Sequence, residues 1–433
     1  MNNELFLKPQ KIGFSQTTRL QVFEFEKFRR EGIGIKDLNL LDSAQKILPW
    51  MIEIRRDLHQ YPELDFDLHR TAERVENHLK ELGISSERYA KTGLAAPLEG
   101  DLPGPCVLVR ADMDALPLQD TKEVPYKSRV PGVMHACGHD AHTAMLLGAL
   151  RLLREFSEPR RGTLLGIFQP AEESAGGALP MIREGALKNH PPHCCLGLHV
   201  TPSLPAGTLG YLPGKLHAAS EMFDVTISGR GGHGASPQEG IDAIAVGASC
   251  VGALQQIVSR RTSPLDSAVV SIGRFVGEGA RNVISSKVEL SGIIRSLEPS
   301  GRERIKKQLQ ETVHHCCAAL GARGEVRFTE GYPCLVNDPE VTRRGVAVGK
   351  RVLGEGAMRL LPEPNMGVDD FAYFLQEAPG SYFKLGIARK GEEDRVPLHT
   401  SDFDIHEEAL AYGAAFLAAC ALDFWKDQRD EKR

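Results

Sequence analysis

The densest run of chemically versatile side chains in the sequence is His135-Ala-Cys137-Gly-His139-Asp140-Ala-His142. Cysteine and histidine are the ligands that borderline-soft divalent metals prefer. Cys137 and His139 stand two apart in a glycine-containing loop, which can aim both side chains inward, while Asp140 and His142 can orient them from behind. The competing reading is a polar loop that caps the helix after it, and it explains poorly why so many ligand-type residues fall within eight positions.

A second feature is Glu172-Glu173, which follows an apolar run. Adjacent residues point different ways, so one carboxylate can bind a metal while the other faces an attacking water. The metal lowers the water's pKa and the free carboxylate takes its proton. Alone, such a pair is ordinarily a solvated turn, so its weight comes from its company. Gly197-Leu-His199 and Pro397-Leu-His399 each add a histidine that, taken singly, reads as a satisfied core residue. Read as ligands, these segments supply one cysteine, three histidines and one glutamate, enough for a one- or two-metal centre.

Other segments imitate sites. Gly229-Arg-Gly231-Gly-His233-Gly234 fits G-x-G-x-x-G, but Pro237 and Gly240 interrupt the helix that a dinucleotide fingerprint needs at once. His233, exposed by its glycines, is the better candidate for a hydrogen-bond donor. In His314-His315-Cys316-Cys317 only His314 and Cys317 share a helix face, so this run reads as structural. H-E-x-x-H, G-x-S-x-G and P-loop motifs are absent from the sequence, which removes the usual support for zincin, serine hydrolase and P-loop readings.

The elements that must position these residues alternate. Helical apolar spacing runs from Ile47 to Leu58 and from Thr71 to Leu82. Strand-like runs at 106–109, 164–168 and 194–198 alternate with a helix over 143–156, and each run ends in metal-competent residues. This predicts an α/β domain with a mostly parallel sheet and a site at the carboxyl ends of its strands. From about residue 218 the order becomes β-α-β-β-α-β, that of a ferredoxin-like unit, and the α/β rhythm returns after Gly331. The expected organisation is therefore an N-terminal extension over residues 1–45, a discontinuous catalytic domain over 46–217 and 330–433, and an inserted unit over 218–329. A helix is expected over 369–376 and a charged, frayed tail from Lys426.

Composition limits the function. The chain has 433 residues with 42% hydrophobic and 25% charged residues, a globular balance that excludes wholesale disorder. A net charge of −5 argues against a nucleic-acid partner, and no apolar run is long enough for a membrane span. The polar start carries no apolar leader core. The nine cysteines are odd in number, with two adjacent pairs, and make no disulfide framework. A reducing, cytoplasmic compartment is expected.

Eight segments in order carry a resemblance: Arg55-Arg-Asp-Leu-His59-Gln-Tyr-Pro62-Glu63, Ala111-Asp112-Met-Asp114-Ala-Leu-Pro117, Met134 to His142, Gln169-Pro-Ala-Glu172-Glu173, Gly197-Leu-His199-Val, Gly231-Gly-His233-Gly, Asn282-Val-Ile and Met366-Gly367-Val-Asp369-Asp370-Phe371. From about Ile47 to Phe424 the chain resembles the hippurate hydrolase and auxin–amino acid conjugate hydrolase branch of the aminoacylase/carboxypeptidase metallopeptidases. The resemblance implies a metal-dependent amidohydrolase that cleaves N-acyl-L-amino acids to a carboxylic acid and a free amino acid. It also implies two divalent ions (Zn, Mn, Co or Ni) and an inserted lid through which the protein forms a homodimer. It would make Cys137, His139, Glu173, His199 and His399 metal ligands and Glu172 the general base. His233 would polarise the scissile carbonyl across the dimer, and Asn282 and Gly367 would bind substrate. Asp114 would support the site without coordinating. Ser285, Ile293-Ile294-Arg295 and Cys194-Cys195 depart from the family pattern, which weakens the inference of substrate. The rivals are a carboxypeptidase or dipeptidase, a deacylase of a biosynthetic intermediate, and a non-catalytic metal-binding protein on the same scaffold.

Overall fold

The computed structural model describes residues 39–426; the expected extension up to residue 38 and the tail from 427 lie outside the described residues. The first helix, α1 (Leu40–Gln60), begins seven residues before the apolar spacing noted at Ile47, so an ordered element crosses the boundary expected at residue 46. Leu40, Ala44, Ile47, Met51, Ile54 and Leu58 form one buried stripe at steps of three and four. Asp42, Ser43 and Gln45 dilute that stripe in the sequence. Helix α2 (His69–Glu81) follows, with Ala72, Val75 and Leu79 buried.

The main sheet takes in β1 (Glu87–Tyr89), β2 (Gly93–Glu99), β3 (Leu102–Asp112), β4 (Arg161–Gln169), β5 (Cys194–Pro205) and β6 (Leu209–Tyr211). Between β3 and β4 runs α3 (His139–Arg154), whose fourteen buried residues leave it almost wholly inside the protein. It starts at His139, four residues earlier than expected, so the metal-competent loop runs directly into a helix N-terminus. β7 (Gly214–His217) then leads out of this layer.

The inserted unit contains β8 (Ala219–Ser228), the short β9 (Gly232–His233), α4 (Ala243–Arg261), β10 (Ala268–Gly277), the short β11 (Val283–Ile284), β12 (Lys287–Ser296), α5 (Gly301–Ala319) and β13 (Arg323–Glu330). The four long strands form an antiparallel sheet in the order β10-β12-β8-β13. They share a core of their own, including Phe223, Ile227, Leu254, Leu290, Ile305 and Val313. α4 begins only at Ala243, where Asp242 accepts from Ile244 N at 2.9 Å. Only a 3-10 turn (Pro237–Glu239) comes before it, so no α-helix follows the glycine loop at once. Cys317 packs inside against Cys250, while His314 and His315 face solvent.

The chain returns beside its exit. Ser220 N donates to the Tyr332 carbonyl and Tyr332 N to Ser220 Oγ, each at 2.8 Å. β14 (Leu335–Asn337) pairs with β7, α6 (Pro339–Leu353) follows, and β15 (Met358–Leu360) and β16 (Gly380–Ala388) complete the main sheet. Its order is β1-β2-β4-β3-β5-β16-β6-β15. The central strands β4, β3, β5 and β16 are mutually parallel, with antiparallel ladders only at β1/β2, β2/β4 and β6/β16. The helix expected at 369–376 is instead a 3-10 turn (Asp370–Tyr373) followed by one α-turn (Phe374–Glu377). Asp369 caps it by accepting from Phe371 N, and both aspartates turn inward to Arg110. The last helix, α7 (Ala409–Phe424), is apolar nearly all round and is buried against α1 and α3.

Candidate metal centre

Because four adjacent strands are parallel, their carboxyl ends lie along one edge of the sheet. β3 delivers Asp112 and Asp114, the turn after β4 delivers Glu172 and Glu173, and β5 delivers His199. The α3 N-terminus brings Cys137 and His139, and the loop before α7 brings His399.

Gly138 makes the α3 entry possible. It is left-handed (φ 83°), and a Cβ there would meet Val200 Cγ2 at 2.4 Å, so the chain turns between Cys137 and His139 while touching β5.

The histidines are set in matching tautomers. His139 Nδ1 lies 2.8 Å from the Asp114 carbonyl and His199 Nδ1 lies 2.6 Å from the Val200 carbonyl. A carbonyl only accepts, so each Nδ1 carries the proton and each Nε2 presents a lone pair. His199 Nε2 is 3.4 Å from Cys137 Sγ. His399 Nε2 is 3.2 Å from the same sulfur and 3.1 Å from Glu173 Oε1. His139 Nε2 faces Glu173 Oε1 at 3.8 Å. Cys137 with His139 and His199, and Cys137 with Glu173 and His399, thus form two overlapping donor sets.

Among the described residues, His139 Nε2 and Glu173 Oε1 are buried and make no hydrogen bond. Burial pushes the Cys137 thiol well above its ordinary pKa, so a thiolate there requires a cation beside it. Orphaned lone pairs, a buried thiol and imidazoles held in the ligating tautomer fit divalent ions of the zinc type.

Glu172, beside this group, is buried, and burial together with the charges of Asp369 and Glu173 holds its carboxyl well above the usual carboxylate range. Its turn is clamped from three sides. Asp114 accepts Glu172 N and Glu173 N, Tyr332 Oη donates to the Glu172 carbonyl at 2.7 Å, and Ala171 sits at φ 57°. Sequence reasoning missed Tyr332, which stands alone outside any motif.

Not every residue of the His135–His142 run faces the donors. His142 accepts from Val200 N and donates to Asp112 Oδ1 at 2.5 Å, which makes it a brace. Burial opposes ionisation of Asp112, but Arg110, His139 and His142 outweigh it and hold the carboxylate well below its usual range. Asp140 points back to α1, where Arg55 Nε and His59 Nδ1 meet its Oδ2 at 2.8 and 2.7 Å. His135 is buried near His59, both its ring nitrogens without a hydrogen bond among the described residues, and burial pushes it down to about 3.

The remaining expected residues lie elsewhere. His233 is exposed on β9, opposite Val283, and Gly234 N donates to the Asn282 carbonyl at 2.7 Å, so His233 and Asn282 share one patch of the inserted unit. Among the described residues no hydrogen bond or ring contact joins that patch to the donor cluster. Gly367 is exposed at the crossing, where its carbonyl accepts from Ala218 N.

Comparison with known proteins identifies the relatives of this chain. A family model described as peptidase family M20/M25/M40 matches residues 108–423. The putative amidohydrolase YhaA of Bacillus subtilis is 41% identical over 86% of this chain and 94% of its own. The IAA-amino acid hydrolase ILR1-like 4 of Arabidopsis thaliana is 38% identical over 87% of this chain and 86% of its own. A crystal structure of the Bacillus subtilis YXEP protein, a dinuclear metal binding peptidase from the M20 family, superposes with a TM-score of 0.77 at 32% identity, over 88% of this chain and 99% of that one.

Proposed function

The chain belongs to peptidase family M20/M25/M40 and is a metal-dependent hydrolase of linear amides, and from that premise we propose that it cleaves N-acyl-L-amino acids to a carboxylic acid and a free amino acid. The observation that carries the reading is the convergence of His139 Nε2 and Glu173 Oε1, both without a hydrogen bond, on the Cys137 thiol, beside a second carboxylate, Glu172, that has no ion pair among the described residues. Cys137, His139, Glu173, His199 and His399 would hold two divalent ions, drawn from Zn, Mn, Co or Ni. Bound there, such ions supply Lewis acidity: they lower the pKa of water and polarise an amide carbonyl.

Glu172 supplies the proton transfers. Its buried carboxyl has a raised proton affinity, so it accepts the proton of the attacking water and returns it to the leaving nitrogen. Asp114 and Tyr332 hold its turn, so the carboxylate need not reorganise during the reaction.

His233 and Asn282 lie on the inserted unit, and we assign to them contacts with the scissile carbonyl across a homodimer. The exposure of His233 and of the apolar Val283 paired opposite it supports a partner on that face. Gly367 contributes an exposed backbone next to the crossing and is assigned to substrate binding. All nine cysteines are free, which accords with a cytoplasmic home, and no helix among the described residues is long and apolar enough to cross a membrane.

The test is a substrate panel of hippurate, N-acetyl amino acids and dipeptides on metal-loaded protein, with released amino acid as the readout. Glu172→Ala should keep its metal and lose most turnover, whereas Cys137→Ala should lose metal. A Glu172→Ala variant with near-wild-type rates would refute the mechanism.

A further inference from the structure

Lys384 is a cation at the metal centre that the mechanism above does not use. It lies on the central strand β16, in register with His199 of the parallel neighbour β5. Register partners on parallel strands project from the same face. Along β16 the alternation separates Phe383 and Leu385, in the helix-covered core, from Tyr382 and Lys384, on the face with His199 and Asp369. Lys384 therefore rises from the floor of the site, half-buried, next to a residue that faces Cys137.

Its counter-ion is missing. Among the described residues no carboxylate lies within ion-pair reach of its ammonium, and its one close partner is the Tyr382 ring, with Nζ 4.8 Å from the centroid. The acidic groups whose charge it feels are Asp369, Cys137, Glu172 and Asp112. Three are engaged: Asp369 by Arg110 and Tyr382, Asp112 by Arg110 and His142, and Cys137 by the donor cluster, while Glu172 is assigned to proton transfer. A half-buried ammonium left this way is costly until an anion arrives.

We propose that Lys384 is a specificity-determining residue that binds the carboxylate of the amino-acid half of the substrate, so that the enzyme selects amides carrying a free carboxylate. The proposal rests on the amide-hydrolase reading and adds which end of the substrate meets which wall. Arg295 on β12 also lacks an ion pair among the described residues, but its electrostatic neighbour is Tyr332 and none of the donor-cluster carboxylates, so it serves as the control.

The experiment compares benzoylglycine with benzoylglycinamide on the full-length, metal-loaded protein, reading benzoate release. Metal content is measured on every variant. Lys384→Met should lower kcat/KM for benzoylglycine about 10- to 100-fold, mainly through KM, as expected for loss of one charge-assisted contact. The carboxamide should change little, and Lys384→Arg should recover part of the loss. Equal effects on both compounds, or the selective loss appearing in Arg295→Met instead, would overturn the assignment. Calorimetric binding of benzoylglycine to metal-loaded Glu172→Gln, with and without Lys384→Met, separates the two hypotheses. If the wild type cleaves neither compound, the amide-hydrolase reading of this substrate class fails. The contact itself stands if the Lys384→Met double variant still binds at least tenfold more weakly, and falls if the affinities are equal.

Discussion

Asp114 accepts the backbone N–H of Glu172 through Oδ1 and that of Glu173 through Oδ2, each at 3.0 Å. One carboxylate therefore fixes both residues to which the base and ligand roles are assigned, at a turn where Ala171 is held at φ 57°. Asp114→Asn keeps the size and one acceptor but puts an NH2 group against a backbone N–H. The turn should loosen, and kcat should fall about 10- to 100-fold with a smaller change in metal affinity. Steady-state kinetics with metal analysis checks this; a variant that loses most of its metal but keeps its rate per metal-loaded site would contradict it.

Gly138 is held by two constraints at once, a left-handed φ of 83° and the approach of Val200 Cγ2 to 2.4 Å from where a Cβ would stand. Gly138→Ala should cost about 1–3 kcal/mol in stability and reduce metal occupancy, because the turn between Cys137 and His139 must shift. Adding Val200→Ala removes the steric part alone, so denaturant melts should show partial recovery. Full recovery would mean that the backbone conformation costs nothing.

Much of this was legible because each motif carries a local reason. Cys137-Gly-His139 advertises a turn, and the strand runs before Asp112, Glu172 and His199 place them along one sheet edge. What escaped depends on long-range pairing. The proton positions on His139 and His199 come from carbonyls that only the folded chain brings near. Tyr332 reaches Glu172 across 160 residues of sequence. Lys384 reads as one position in a strand until its register with His199 is known. Asp140 lies in the richest motif yet faces away from the centre, because its partners sit on α1.

Acid sensitivity follows from His217. It is buried on β7, with Nδ1 2.8 Å from Asn365 Oδ1, and burial together with the charge of Lys384 pushes it down to about 3. The unfolded chain takes up a proton below about 6.5, whereas the folded chain does not until about 3. Stability from this group is therefore complete above pH 6.5 and is lost as pH falls through that value, by about 2 kcal/mol at pH 5. His217→Gln removes the titration, so its unfolding midpoint should fall less between pH 7 and pH 5 than that of the wild type. Parallel slopes would show that His217 is not buried in its neutral form.

Arg55 ties helix α1 to the residue that follows His139. Its guanidinium is fully buried, with Nε 2.8 Å from Asp140 Oδ2 and Nη2 2.8 Å from Asp404 Oδ1, so α1 is tied both to the first turn of α3 and to the loop that leads from His399 into α7. Leaving a buried charge bare costs about 3–5 kcal/mol, and without Arg55 the Asp140 carboxylate keeps His59 Nδ1 at 2.7 Å but loses its guanidinium. Arg55→Met should approach that range in chemical denaturation. It should also weaken metal binding, because Asp140 follows His139 directly and cannot relax without moving it. Asp140→Asn in the same chain removes the stranded charge, so the double variant should be more stable than Arg55→Met alone. If the two losses instead add, Arg55 acts through Asp404 and not through Asp140, and the metal affinity of Arg55→Met should then equal that of the wild type.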